Sequence, residues 1–348
     1  MQRKKTKKVK VGNIYIGGDS PVTIQSMTNT KTANIKDTIE QIKLLEKAGC
    51  EIIRVAVPDE ESAQAIKKIK KEINIPLVAD IHFDYKLAIK SIEHGADKIR
   101  INPGNVGGID KIKEIIKAAK HYNIPIRVGV NSGSLERDIL EKYKKPCAEA
   151  LAESAIRNVK LLEDLDFFNI VVSVKSSNVL ETIESYKILS RSIDYPLHLG
   201  VTESGTLISG TVKSSIGIGL LLYEGIGDTI RVSLTDDPVN EIKVAREILK
   251  SLGLRKGIEI VSCPTCGRTN INLIELAQKI TRELENYTKP IKVAIMGCAV
   301  NGPGEAKEAD IGIAAGKGEA LIFKKGEIIK KVKESEILEE LFKEIEKL

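Results

Sequence analysis

Eight short β-rich runs alternate with amphipathic segments between residues 20 and 252. This alternation predicts an α/β fold: a (β/α)8 TIM-type barrel followed by a small α+β domain. Eight strand–helix units in succession fit a closed barrel better than a doubly wound open sheet. The length of 348 residues exceeds the roughly 250–300 that one hydrophobic core usually fills, so two domains are expected. The pattern also changes after Gly253, which sets the expected domains at 1–252 and 253–348.

The eight runs are VTIQSM (22–27), EIIRVAV (51–57), LVADIHF (77–83), KIRIN (98–102), IRVGVNS (126–132), NIVVSVKSS (169–177), LHLGVTES (197–204) and TIRVSLT (229–235). Each is short and rich in β-branched residues, as strands are. Segments between them, such as NIKDTIEQIKLLEKAG, space Ile and Leu three and four apart, the period of a half-buried helix. Beyond Gly253, GIEIVSC, IKVAIMGC and ADIGIAA read as strands and 272–286 as a helix. EALIFKKGEIIKKV reads as a hairpin turning at Lys325-Gly326, and 334–347 as a final amphipathic helix.

Composition is that of a globular protein, 42% hydrophobic and 29% charged. Aromatic residues make up 4% and Trp is absent, which argues against nucleic-acid binding by base stacking. The net charge of +6 comes partly from the opening QRKKTKKVK and otherwise from lysines on helix faces, and reads as solvated surface. The basic start lacks the apolar core of a signal peptide, and the most apolar stretch, IGIGLLLYEGIG, is too short to span a membrane. Five cysteines without an export signal point to the reducing cytoplasm rather than a disulfide framework.

Alternate residues of a strand face opposite ways. One parity of the eight runs is apolar and is expected to meet the helices: Ile53, Val55 and Val57, or Ala79, Ile81 and Phe83. The other is polar and is expected to line the lumen: Arg54, Asp80, His82, Arg100, Asn102, Arg127, Asn131, Ser173, Lys175, His198, Thr202, Arg231 and Ser233. Barrel chemistry sits at the C-terminal ends of the strands. Five cations, Arg54, Arg100, Arg127, Lys175 and Arg231, face two carboxylates, Asp80 and Glu203, so the surplus calls for an anionic ligand. Guanidinium forks suit phosphate oxygens, and the Gly-rich turns NPGNVGGID and GVNSGS offer backbone N–H groups.

SCPTCGRT (262–269) and MGCAVNGPGE (296–305) bring three cysteines to the second domain, Cys263, Cys266 and Cys298. This spacing fits zinc or an iron–sulfur cluster. The domain has no His, and the natural fourth ligand is Glu305, across the NGPG turn. A carboxylate is more exchangeable than a thiolate and suits a site that must open. Cys50 and Cys147 read as packing residues.

PVTIQSMTNT, VADIHF, IRINPGN, RVGVNSGS, HLGVTE, SCPTCGR and GCAVNGPGE resemble motifs of the bacterial 4-hydroxy-3-methylbut-2-enyl diphosphate synthase family, in its compact two-domain form, nearly end to end. The resemblance implies a [4Fe–4S] cluster on Cys263, Cys266, Cys298 and Glu305. It implies that 2-C-methyl-D-erythritol 2,4-cyclodiphosphate binds at the barrel top. The matched positions are Arg54, Asp80, His82, Arg100, Arg127, Asn131, Lys175, Thr202, Glu203, Arg231 and Ser233, with Asn301 from the second domain. The implied reaction is a two-electron reductive dehydration in isoprenoid synthesis, fed by ferredoxin or flavodoxin, with Glu203 expected to transfer the proton. A head-to-tail homodimer sharing its sites is expected too. A helix over 238–252 runs about 22 Å back down the barrel, so the chain enters the second domain from the wrong end to cap its own lumen. Two rivals stay open at this point: a zinc-dependent barrel lyase or aldolase acting on a phosphorylated sugar, and a non-enzymatic iron–sulfur sensor.

Overall fold

A computed structural model describes residues 3–284, 287, 289–298 and 307–348. The chain divides into two compact units, Met1–Leu254 and Arg255–Leu348.

The first unit opens with a hairpin, β1 (Val9–Val11) and β2 (Ile14–Ile16), turning through Gly12 at φ +57°. Eight strands follow: β3 (Thr23–Met27), β4 (Ile52–Ala56), β5 (Leu77–Asp80), β6 (Lys98–Ile101), β7 (Ile126–Asn131), β8 (Ile170–Lys175), β9 (His198–Leu199) and β10 (Thr229–Ile230). They form one parallel sheet in the order β8-β7-β6-β5-β4-β3-β10-β9. A bridge between Val172 and Leu197 closes the seam, with the Val172 N–H donating to the Pro196 carbonyl at 2.9 Å. The expected barrel is therefore the fold of this unit.

Helices between the strands start and stop where the side chains dictate. Asn34 caps Ile35–Ala48 by accepting the Asp37 N–H, and Gly49 ends it at φ +105°. Asp59 caps Glu60–Ile69 in the same way, and Asp237 with Pro238 starts Pro238–Ser251. Their Ile, Leu and Ala faces bury the apolar strand parity, as expected: Ile53, Val55, Ala79, Ile99, Val128 and Val172 are all fully buried.

Three details depart from the expectation. β9 and β10 have two residues each instead of seven or eight. A Cβ on Gly200 would lie 2.6 Å from the Arg231 carbonyl, so the chains here approach too closely for a side chain. The turn at Glu203 (φ +51°) and Gly205 (φ +102°) then carries the backbone off the ladder. β5 ends at Asp80, leaving His82 and Phe83 exposed beyond the sheet, so Phe83 does not meet the helices. Finally, the basic start is structured. Val9, Val11 and Ile16 pack against Ile52, Val78 and Val171 where the strands begin, plugging the N-terminal end of the lumen. Asp228 anchors this arm, accepting from Thr6 Oγ1 at 3.0 Å and from the Leu197 N–H at 2.9 Å.

The second unit is a five-stranded sheet, β11 (Glu259–Ser262), β12 (Lys292–Met296), β13 (Ile311–Ala315), β14 (Glu319–Lys324) and β15 (Glu327–Lys333), in that order. The first three strands run parallel; β14 and β15 are antiparallel and joined through Lys325 and Gly326, both at positive φ. Helices Leu273–Leu284 and Ile337–Glu346 pack Leu273, Ile280, Leu341 and Ile345 against Val293, Ile295, Ile311 and Ile313. Among the described residues no helix is long and apolar enough to cross a membrane.

Candidate functional site

The lumen carries charge where barrels usually carry aliphatics. Arg54, Asp80, Arg100, Arg127 and Lys175 are buried on the inward parity of β4 to β8. Asp80 Oδ1 lies 3.3 Å from Arg100 Nη1, and its Oδ2 lies 3.7 Å from Arg54 Nε and 3.6 Å from His82 Nε2. Burial alone would raise the Asp80 carboxyl. Arg54, the His82 hydrogen bond, Arg100 and Arg127 outweigh it and hold Asp80 well below the usual carboxylate range. Glycines make room for the cations. A Cβ on Gly129 would sit 2.3 Å from Arg100 Nε, and one on Gly200 would sit 2.9 Å from Lys175 Nζ. Arg100 Nη2 uses that room to donate to the Gly129 carbonyl at 3.0 Å.

The charge does not balance. Arg231 pairs with Glu241 at 3.6 Å, a buried carboxylate on helix Pro238–Ser251 that also accepts from Ser26 Oγ and the Leu234 N–H. Glu203, expected to answer the lumen cations, is instead exposed on the loop after β9. Arg127 is 1% exposed, and its Nε and Nη1 have no hydrogen-bond partner among the described residues. Burial, then Arg54 and Arg100, push its pKa well below the ordinary guanidinium value. Lys175 is driven down in the same way, by burial and then by Arg231. Such a group of cations is stabilised by an anion laid across them.

The rim holds the smaller polar groups. Asn102 accepts from the Gly104 N–H at 3.2 Å and donates to Ser134 Oγ at 3.1 Å. Ser134 in turn bonds the Asn131 N–H and carbonyl, each at 3.1 Å, tying together the loops after β6 and β7. Thr202 and Ser233 are half-buried, and Ser204 Oγ donates to the Ser233 carbonyl.

In the second unit, β11 and β12 pair in parallel with Ser262 opposite Ile295, so Cys263 and Cys298 follow adjacent strand ends. Cys263 Sγ accepts the Gly297 N–H at 3.2 Å. A hydrogen bond from the Arg268 backbone holds the exposed Cys266 thiol below its ordinary pKa. The lowered Cys266 thiol favours thiolate, the form that binds metal, and the candidate donors are sulfur with no imidazole in the unit. Among the described residues no three His, Cys, Asp or Glu side chains converge on one metal-ion position. Asn301 and Glu305 lie outside the described residues. Cys50 is buried near the start of β4, where burial pushes its thiol up to about 12, and Cys147 begins helix Ala148–Asp164.

The GcpE TIM-barrel domain model matches residues 6–246, and the GcpE protein C-terminal domain model matches 259–347. The chain belongs to the GcpE family. Its curated relatives include the 4-hydroxy-3-methylbut-2-en-1-yl diphosphate synthase (flavodoxin) of Clostridium acetobutylicum, 62% identical over 100% of both chains. The protein of that name from Caldicellulosiruptor saccharolyticus is 65% identical over 98% of both chains. Among solved structures, 3-dehydroquinate dehydratase of Geobacillus kaustophilus matches 70% of this chain and 97% of its own, with TM-score 0.50 and 15% identity, a likeness of fold alone.

This GcpE-family lumen also contains groups that the parity reading passed over. Lys98 shares the inward parity with Arg100 and is fully buried; the alternation that picks out Arg100 also picks out Lys98. Glu241 occupies the apolar face of its helix with Pro238, Ile242, Ala245 and Ile248, and a carboxylate at that spacing is the signal that a cation awaits it.

Proposed function

We propose that this chain converts 2-C-methyl-D-erythritol 2,4-cyclodiphosphate to (E)-4-hydroxy-3-methylbut-2-enyl diphosphate, the product for which its full-length relatives are named. The observation that carries the reading is the charge surplus in the lumen: five buried or half-buried cations, Arg54, Arg100, Arg127, Lys175 and Arg231, against Asp80 and Glu241 among the described residues. In the reaction two electrons enter, the ring C–O bond to phosphate breaks, a hydroxyl leaves as water and a C=C bond forms.

The cation ring binds the diphosphate and stabilises its charge as the ring opens. Asp80 orients Arg54 and Arg100. Asn131, Thr202 and Ser233 offer hydrogen bonds from the rim, with His82 beside Asp80. Glu203, on the exposed loop, supplies the proton that turns the departing hydroxyl into water. Cys263, Cys266, Cys298 and Glu305 would hold a [4Fe–4S] cluster, with Asn301 nearby in sequence. When bound, such a cluster supplies the electrons one at a time. Flavodoxin is the donor, by the relatives' names.

The working unit is a homodimer. Helix Leu207–Tyr223 exposes Ile208, Val212, Ile216, Leu220 and Tyr223 along one face, an apolar stripe suited to a second copy. A head-to-tail pair lets each cluster unit serve the partner's barrel.

Anaerobic iron and sulfide analysis tests the reading. Wild-type protein should contain iron and acid-labile sulfide in equal amounts with a broad visible absorption, lost in Cys298→Ser and kept in Cys147→Ser. Zinc in place of iron, or an unchanged cluster in Cys298→Ser, would contradict it.

A further inference from the structure

We infer that Lys98 is a buried proton acceptor beneath the anion site, neutral in the free protein and protonated when a diphosphate binds above it. The inference rests on the diphosphate reading of the lumen and deepens it.

Lys98 is 0% exposed, and its Nζ has no hydrogen-bond partner among the described residues. It stands two residues before Arg100 on the same face of β6, roughly 6.6 Å deeper in the barrel. Its register neighbour on β5 is Val78, part of the apolar plug. The charged groups that act on it are Arg54 from β4, Arg127 from β7 and Asp97 just before it in the chain. His198 faces the same space from β9, with Lys175 above it on β8.

None of the nearby carboxylates is free to answer it. Asp97 is engaged by Lys70 Nζ at 2.6 Å and the Leu77 N–H at 2.7 Å, while Asp80 is held by Arg54 and Arg100. An ammonium sealed among guanidinium groups sheds its proton: burial first, then Arg127 and Arg54, set the Lys98 pKa well below the ordinary lysine value. Burial keeps His198 neutral too. The neutral amine relieves repulsion in the empty ring. A diphosphate bound across Arg54, Arg100 and Arg127 reverses the local potential and draws a proton onto Lys98. Lys98 is thus a positioning residue, adding a charge beneath the ligand without touching it.

A cyclic diphosphate has no ionisation near neutral pH, because each phosphorus carries a single, strongly acidic oxygen. Proton exchange on binding therefore reports the protein. Calorimetry of cluster-loaded enzyme with 2-C-methyl-D-erythritol 2,4-cyclodiphosphate, in Tris and in Pipes at one pH, measures it. Wild type should take up as much as about one proton per site, and Kd should weaken by up to about tenfold per pH unit as pH rises. Lys98→Met should still bind, without that share of the uptake and with a flatter pH profile. Binding with no uptake in wild type, or with equal uptake in Lys98→Met, overturns the inference and leaves the diphosphate reading standing. No binding at all overturns both. A second readout compares wild type with Lys98→Met, both without ligand, because Lys175 and Cys50 also shape the alkaline profile. A lysine pKa lowered by folding means the unfolded chain holds more protons, so as pH climbs toward the unfolded value of about 10.4 stability should gain more in wild type than in Lys98→Met. Parallel profiles in the two proteins also count against a neutral Lys98.

Discussion

Asp80 is the carboxylate on which the lumen cations converge, and its loss is the sharpest single-residue test of that arrangement. Asp80→Asn keeps the shape but leaves Arg54 and Arg100 without their anion. Breaking a buried pair in this way costs about 3–5 kcal/mol, read as a lower unfolding free energy without ligand. The pH sign follows from the depressed carboxyl. Asp80 contributes its stability above the unfolded value of about 3.9 and loses it as pH falls from there toward its lower folded value, a loss that Asp80→Asn should not show. Arg127→Ala and Lys175→Ala should each weaken cyclodiphosphate binding by about tenfold or more, since a charge-assisted contact is worth roughly 1.5–3 kcal/mol. Iron content should be unchanged, and unaltered affinity in both variants would mean that the cations serve only the fold. Most of these residues are legible in the sequence, because strand alternation is strict and a charged residue on the inward parity stands out. Glu241 is not legible as the partner of Arg231, since it arrives from a helix and no strand parity reports it. Glu203 is legible as an acid beside the lumen, but its positive-φ turn, which places it on the exposed loop, is not written in the residue type.

At the scale of elements, helix Leu207–Tyr223 is unusual for its outward apolar stripe, spaced by four from Ile208 through Val212 and Ile216 to Leu220. Its buried side includes Gly210, Ser214 and Gly217, small or weakly polar residues, so periodicity alone cannot say which side is left uncovered. The prediction is that Ile208→Asp with Ile216→Glu yields a monomer by sedimentation, with a far-UV spectrum like that of wild type. A dimer that survives both substitutions would place the pairing surface elsewhere. The N-terminal hairpin teaches the reverse lesson. Its lysines dominate the reading and make it look like solvated surface, yet Val9 and Val11 alternate with Lys10 in period two, and the valines form the plug. Residue propensities do not report the brevity of β9 and β10, nor the close approach of the Gly200 backbone to the Arg231 carbonyl beside their ends.

For the whole molecule, length and the break in pattern near Gly253 point to two parts, and the chain separates into compact units at Leu254 and Arg255. The barrel unit holds an excess of buried cations suited to a small polyanion, and the second unit places two cysteines at adjacent parallel strand ends. Neither unit alone accounts for the proposed reductive reaction: one carries the cations and the other the clustered cysteines. The proposed reaction needs both, and the direct test is turnover. Anaerobic, iron-replete protein is mixed with 2-C-methyl-D-erythritol 2,4-cyclodiphosphate and reduced flavodoxin, and both the product and the flavodoxin oxidation state are followed. The expected product is (E)-4-hydroxy-3-methylbut-2-enyl diphosphate, with two electrons consumed for each ring opened. Ring opening without electron consumption, or an untouched substrate in the presence of iron-replete protein and reduced donor, would contradict it.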